Sequence, residues 1–477
     1  MRASRRRASI LVPQASASLG GSRKNKNKLA PSAEDSLKTL KAGSWLDYAE
    51  QSGAPMAVVM CGGEPGAFDL VRALGKAGIP STVFSSRADD IAFRSKYARR
   101  PKIVLPEFRA ENYEEIFERI AAFSQSSEER PVLLYAGDSE LMFVSMFREK
   151  LEPFYRFLLP PREILESLMS KVGFIQLAQK MNLPAPPARA FASVSELQAA
   201  HQTIDLPCIV KPAYNQDWFW QSEELKQRFG TYKQALRRFD SRRALLEFCE
   251  ELPETRSGFV VQSYIDGADN SIACFHGYFD EQSVCLGSFL TREIRTNPPH
   301  TGDLACCETF HDEDLTAVSI EYLQRIRFQG VVKIDYKWDQ AAREHKILEI
   351  EPHYQAWHLL GAYAGVNLAA IAYRHQKGER AEPQTGYSDN KQLLYLSNDL
   401  KAYWHGYRKN QEWTCGSYLK SLAKKKHFRI YDSADPMPFL YSAYRYLAKK
   451  GLRLLGLDFP MHDVKTWPRI TRKHASG

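Results

Sequence analysis

Two neighbouring segments late in the central region constrain the chain most: VVKIDYK (331–337) and KILEIEP (346–352). Both have the alternation and β-branched content of strands, and the polar stretch from Asp339 to Glu344 between them reads as a turn. Strand side chains repeat every second residue, so Lys333 and Asp335 share one face, as do Glu349 and Glu351. A hairpin centred near Ala342 sets Asp335 opposite Glu349, whereas a slip of one residue would turn the acids to the other face. Carboxylates opposed across strands repel each other. A divalent cation reverses that sign, and Mg²⁺ is characteristically shared between one or two carboxylates and substrate phosphates. The alternative is a solvated hairpin edge with Lys333, Lys337 and Lys346 as surface partners.

The remaining bulk properties narrow the class. A chain of 477 residues is too long for one ordinary core and suggests about three units. No apolar run long enough for a membrane-spanning helix occurs. Eight scattered cysteines, without metal-ligand or redox spacing, fit reduced thiols in a cytoplasmic protein. The net charge of +9 is unevenly placed. Residues 1–30 hold eight Arg or Lys and no acid, and residues 401–477 hold sixteen against five acids, which leaves residues 31–400 at −10. A uniformly basic nucleic-acid binder is therefore disfavoured.

Residues 1–53 have no periodicity and read as a disordered basic segment. Their Arg- and Ser-rich, acid-free start has the composition of an organellar transit peptide but no convincing amphipathic stretch. From Met56 the order strand, glycine turn, helix, strand marks a small open α/β domain over 54–160. Its turn, Gly62, Gly63 and Gly66, could receive an anion at a helix N-terminus; tight-turn geometry is the favoured reading, because the dinucleotide spacing is incomplete. The segment 161–390 then supplies a helix from Ser170 to Met181 with Lys171 in its first turn, a strand ending at Lys211, the strand FVVQSYI breaking into DGADNSI, and VCLGSFLTREIRTNPP with Arg292 and Arg295. A lysine at a strand end beside a loop is placed to neutralise phosphate, although a surface lysine is the commoner case.

This order resembles the ATP-grasp superfamily, and more closely its ATP-dependent carboxylate–amine ligases. The segments SLMSKVGFIQLAQKMNLPAPP, LPCIVKPA, FVVQSYIDGADNSI, GVVKIDYK and LEIEPHYQAWHLLGAYAGVNL carry the likeness across roughly residues 56–376. It implies a small α/β domain and a two-lobed α/β and α+β ATP-grasp fold with nucleotide between the lobes; the residues after 390 read separately as a helical basic C-terminal appendage over 391–477. It also implies roles: Lys171 and Lys211 at ATP phosphates; Gln262, Ser263, Tyr264 and Ile265 at adenine; Asp269 at ribose; Asp335, Glu349 and Glu351 on Mg²⁺, with Mn²⁺ able to substitute. Lys333 would stabilise the transferring phosphoryl group, and Arg292 or Arg295 would hold the substrate carboxylate or acyl phosphate. The implied partners are a small-molecule carboxylate and an amine.

Three departures stand out. Glu351 replaces the family's usual asparagine, His353 replaces an arginine, and Trp218, Phe219 and Trp220 stand where relatives carry a glycine-rich phosphate loop. The aromatics read as a lid over nucleotide or as a patch for a partner, and the substitutions leave open a degenerate ATP-binding scaffold. His353 and His358 flank Trp357 and are assigned no catalytic role, since packed histidines are commoner. The aromatic and basic C-terminal region reads first as a helical appendage whose aromatics are core; peripheral contact with an anionic membrane, or RNA binding, is the alternative.

Overall fold

Apolar runs without alternation build the first sheet. In β1 (Ala57–Cys61) every residue is buried, as expected of a strand covered on both faces. Next come α1 (Gly66–Lys76), β2 (Ser81–Ser85), β3 (Ala98–Val104), α2 (Tyr113–Gln125), β4 (Val132–Tyr135) and α3 (Asp138–Met146). The strands are parallel in the order β3-β2-β1-β4, and β3, on the edge, is largely exposed. The computed structural model describes residues 56–454 apart from 63–65, 219–221, 231–234, 254–256 and 381, all within the unit Ser52–Gly477. A Cβ on Gly66 would stand 2.8 Å from the Ala136 carbonyl oxygen, so close backbone approach explains that glycine. Gly63 and residues 1–53 lie outside the described residues.

The second sheet is antiparallel. It follows α4 (Arg162–Met169) and α5 (Lys171–Lys180) and is built from β5 (Ala188–Phe191), α6 (Val194–Ala200), β6 (Cys208–Pro212), α7 (Glu223–Phe229), β7 (Arg238–Phe239), α8 (Arg242–Glu251) and β8 (Phe259–Ser263), with strand order β5-β8-β6-β7. Its core packs Phe191, Leu197, Val210, Leu245, Phe248 and Val261 around Trp218. Trp218 is 1% exposed and edge-on to Phe248 at 6.0 Å. This corrects one expectation: Trp218 is neither lid nor partner patch, because its indole fills the core of this lobe. Phe219 and Trp220 lie outside the described residues.

The third sheet has seven strands: β9 (Ile272–Phe279), β10 (Cys285–Asn297), β11 (Asp303–Phe310), then, after α9 (Glu313–Arg325), β12 (Gly330–Asp339) and β13 (Glu344–Glu351), and, beyond α10 (His358–Ala364) and α11 (Leu368–Lys377), β14 (Gln392–Leu394) and β15 (His427–Phe428). Their order is β13-β12-β9-β10-β11-β14-β15. On one face Phe275, Phe279, Leu290, Ile334, Tyr336, Ile347 and Ile350 pack against Phe174 and Leu177 of α5 and Leu315 and Leu323 of α9. Each such side chain contributes roughly 1.5–3 kcal/mol on burial.

The C-terminal region holds helices, namely α12 (Leu396–Ala402), α13 (Cys415–Ala423) and α14 (Met437–Leu454), but also β14 and β15, which extend the third sheet. Strands of three and two residues leave no readable alternation. Tyr403, Tyr407 and Tyr418 are core, with Tyr403 and Tyr418 stacked at 4.0 Å, whereas Trp404 is half exposed. This region also returns to the first sheet. Arg429 donates to Asp69 of α1 at 3.0 Å, and Arg72 of α1 pairs with Asp435 at 3.2 Å, both in the buried interior. Among the described residues no helix is long and apolar enough to cross a membrane.

Candidate active site

The hairpin β12–β13 pairs Asp335 with Glu349 and Lys333 with Glu351, and a bulge makes it do so. Nearer the turn the partners are Tyr336 with Ile347 and Lys337 with Lys346; unbroken, that register would set Asp335 against Leu348. One extra residue on β13 shifts the pairing beyond it. Ile347 and Ile350 therefore both enter the core although three residues apart, and Glu349 and Glu351 both turn to the opposite face.

On that face Lys333 Nζ lies 2.8 Å from Asp335 Oδ2 and 2.9 Å from Glu351 Oε2. Lys171, at the start of α5, reaches across with Nζ 3.1 Å from Glu349 Oε1 and 2.9 Å from Asn215 Oδ1. Ser170 caps α5 by accepting from the Gly173 amide, which fixes where Lys171 leaves the helix. Burial alone would lower the Lys333 pKa, but the Asp335 and Glu351 charges outweigh it and hold the ammonium well above its ordinary value. Burial raises Glu351, and the neighbouring Glu349 and Asp335 charges add to that against the pull of Lys333. Three carboxylates thus face two ammonium groups.

Asp335 Oδ1 is buried and makes no hydrogen bond. A buried, unpaired carboxylate oxygen beside two further carboxylates is a set of hard oxygen donors of the kind Mg²⁺ takes. Among the described residues no three His, Cys, Asp or Glu side chains already close into a metal cage.

The expected nucleotide residues line the neighbouring lobe. Lys211 lies on β6 opposite Val260, and Gln262 opposite Ile209. Gln262 is buried, and Ser263, Tyr264 and Ile265 emerge half-buried from the end of β8. Lys337, on the acid-bearing face of β12, stands 5.2 Å from the Tyr264 ring centroid, joining this hinge to the third sheet.

Two residues expected here are engaged elsewhere. Asp269 is 4% exposed and accepts from Tyr407 and, at 3.4 Å, from Thr296, while His300 Nδ1 stands 2.8 Å away, so both carboxylate oxygens already have partners within the protein. Arg295 is fully buried, bonded to Asp399 at 2.6 and 3.2 Å and to Ser421 at 3.0 Å, and reaches no open surface. Arg292 is the accessible arginine, half exposed and 2.7 Å from Glu308, and lines a cavity of about 550 Å³ between β10 and α13.

Other residues were not anticipated. Asp138 at the start of α3 binds His353 Nε2 at 3.2 Å. Burial works against the imidazolium, but that carboxylate raises the His353 pKa to about 9, so a cation stands two residues beyond Glu351 after all. The position of Asp138 just past the end of β4 was the available signal. His358 is pushed the other way, to about 3, by burial and by the charges of His353 and Lys333.

No family model matches the chain. It is 21% identical over 376 residues to a D-aspartate ligase of Enterococcus faecium (strain Aus0004), covering 74% of this chain and 85% of that protein. Among solved structures it is similar to an L-amino acid ligase from Bacillus licheniformis, with a TM-score of 0.52 and 15% identity over 69% of this chain and 75% of that one. It is also similar to N5-carboxyaminoimidazole synthetase from Staphylococcus aureus complexed with ADP, with a TM-score of 0.54 and 14% identity over 76% and 87%. With its two lobes and its acid-bearing hairpin, and by these likenesses, the chain has the ATP-grasp fold.

Proposed function

We propose that the chain is an ATP- and Mg²⁺-dependent ligase that joins a carboxylate to an amine through an acyl phosphate, releasing ADP and phosphate. The observation that carries this reading is the Lys333, Asp335, Glu349 and Glu351 group facing Lys171, with one carboxylate oxygen left unpaired. A carboxylate is a poor electrophile. Transfer of the γ-phosphoryl group to one of its oxygens makes a leaving group; the amine nitrogen then attacks the carbonyl carbon, loses a proton, and phosphate departs with that oxygen. Phosphoryl transfer needs positioning and charge neutralisation more than a protein nucleophile.

In this reading Asp335, Glu349 and Glu351 hold Mg²⁺, which when bound neutralises phosphate charge. Lys171 and Lys211 neutralise the remaining phosphate oxygens, and Lys333 faces the transferring group. Gln262 to Ile265 receive adenine. Arg292, able to bind a carboxylate through two parallel hydrogen bonds, holds the substrate. Asp269 and Arg295 are left out because their polar atoms are already engaged. The D-aspartate ligase likeness favours an amino acid as the carboxylate, and the compartment we propose is the cytoplasm. Contact of the C-terminal region with a lipid surface would be a separate activity.

The test is amine-dependent ADP release with ¹⁸O passing from carboxylate to phosphate. Release of AMP, or phosphate free of label, would contradict it. Glu351 in place of asparagine favours a second reading, a scaffold that binds nucleotide without turnover; tight Mg·ATP binding with no ADP formed across carboxylate and amine panels would select it.

A further inference from the structure

The last described helix shows an apolar face that is exposed among the described residues. One side of α14 docks on the first α/β region: Arg445 pairs with Asp89 at 2.6 Å, and the Arg94 guanidinium lies 4.3 Å from the Tyr441 ring centroid. The other side carries Met437, Leu440, Tyr444 and Leu447 at helical spacing, each 52–64% exposed, flanked by Phe439 and Tyr446. Such a run is not the normal scatter of surface apolar residues. Of the fifteen large apolar side chains exposed among the described residues, twelve fall between Leu396 and Leu447, so the apolar surface is concentrated in this region.

Charge says what would cover it. Between residues 401 and 450, seven Lys and Arg are exposed against one exposed acid, Glu412, among the described residues. A second copy of the chain would bring the same cations face to face. An anionic phospholipid surface complements both features, taking the apolar side chains at the acyl boundary and the ammonium groups among its headgroups. Tyr444 and Tyr446 suit that boundary, having an apolar ring and a polar tip. The helix is too polar to cross a bilayer. We propose that α14 lies along an anionic lipid surface through its Met437–Leu447 face, with the exposed Lys450 on the same helix supplying electrostatic attraction.

The full-length protein is sedimented with vesicles of phosphatidylcholine alone or mixed with phosphatidylserine. At least about tenfold more protein should pellet with the anionic vesicles, and raised salt should weaken this as headgroup charge is screened. Leu440→Glu combined with Leu447→Glu should abolish pelleting, and Lys450→Glu should reduce the phosphatidylserine dependence while leaving the apolar stripe intact. Both variants should keep the wild-type melting temperature and amine-dependent ADP release, since neither site touches the ligation machinery. Equal pelleting with both vesicle types, or unchanged binding by the double variant, would overturn the proposal. So would a concentration-dependent dimer, seen by light scattering and abolished by the same double substitution without vesicle binding; that result assigns the face to a second copy.

Discussion

Lys333 holds two carboxylates at once in a buried position, so its removal leaves charge with no solvent to absorb it. Lys333→Met should destabilise the fold by about 3–5 kcal/mol, the usual cost of breaking a buried pair. Mg²⁺ should raise the variant's melting temperature more than the wild type's, because the ion would replace the lost ammonium. Conversely, Asp335→Asn with Glu349→Gln should weaken Mg·ATP binding at least about tenfold, or ~1.4 kcal/mol. Calorimetric titration with and without Mg²⁺ checks this, and unchanged affinity would remove the site. His300 carries a pH dependence. Its hydrogen bond to Asp269 raises its pKa to about 9 from the ordinary 6.5. The stabilisation it gives is complete below pH 6.5 and fades as pH rises through about 9. The difference in urea midpoint between wild type and His300→Gln should therefore shrink across that window. The sequence showed the acids because alternation exposes them. It hid the engagement of Asp269 and Arg295, whose partners Tyr407 and Asp399 lie 138 and 104 residues away.

The bulge in β13 determines which side chains meet Asp335. Without Leu348 the strand would pair regularly and still bring Glu349 opposite Asp335, so deletion of Leu348 should preserve folding and Mg²⁺-dependent nucleotide binding. Deletion of Ile350 removes a core residue and forces either Glu349 or Glu351 toward the apolar face, and should prevent folding. Melting curves and nucleotide titration of the two deletions distinguish these outcomes. The signal was present in KILEIEP, where the two isoleucines stand three residues apart instead of two. Elements long enough to show a period, such as α5 and β12, were legible in the same way, and β1 was legible as an unbroken apolar run. β14 and β15 were not, because two or three residues become a strand only when a neighbouring edge offers its hydrogen bonds. Trp218 was misassigned because an aromatic run looks alike whether it faces solvent or packs on Phe248.

At the scale of the molecule, the C-terminal region completes structure begun elsewhere. It extends the third sheet, caps Asp269 through Tyr407, and supplies buried partners to Asp69 and Arg72. Arg429→Ala should therefore cost about 3–5 kcal/mol by leaving Asp69 buried and unpaired, with a drop in melting temperature as the readout. Truncation before His427 should lower the soluble yield of the whole chain, since Asp69 and Arg72 would both lose their partners. Asp69 and Arg429 are 360 residues apart in the chain. A ribosome adding roughly 5–20 residues per second needs on the order of twenty seconds to a minute to cover that interval. Throughout that time α1 has emerged with an aspartate and an arginine whose counterparts do not yet exist, so the first strands and helices wait for the last before their interior charges are balanced.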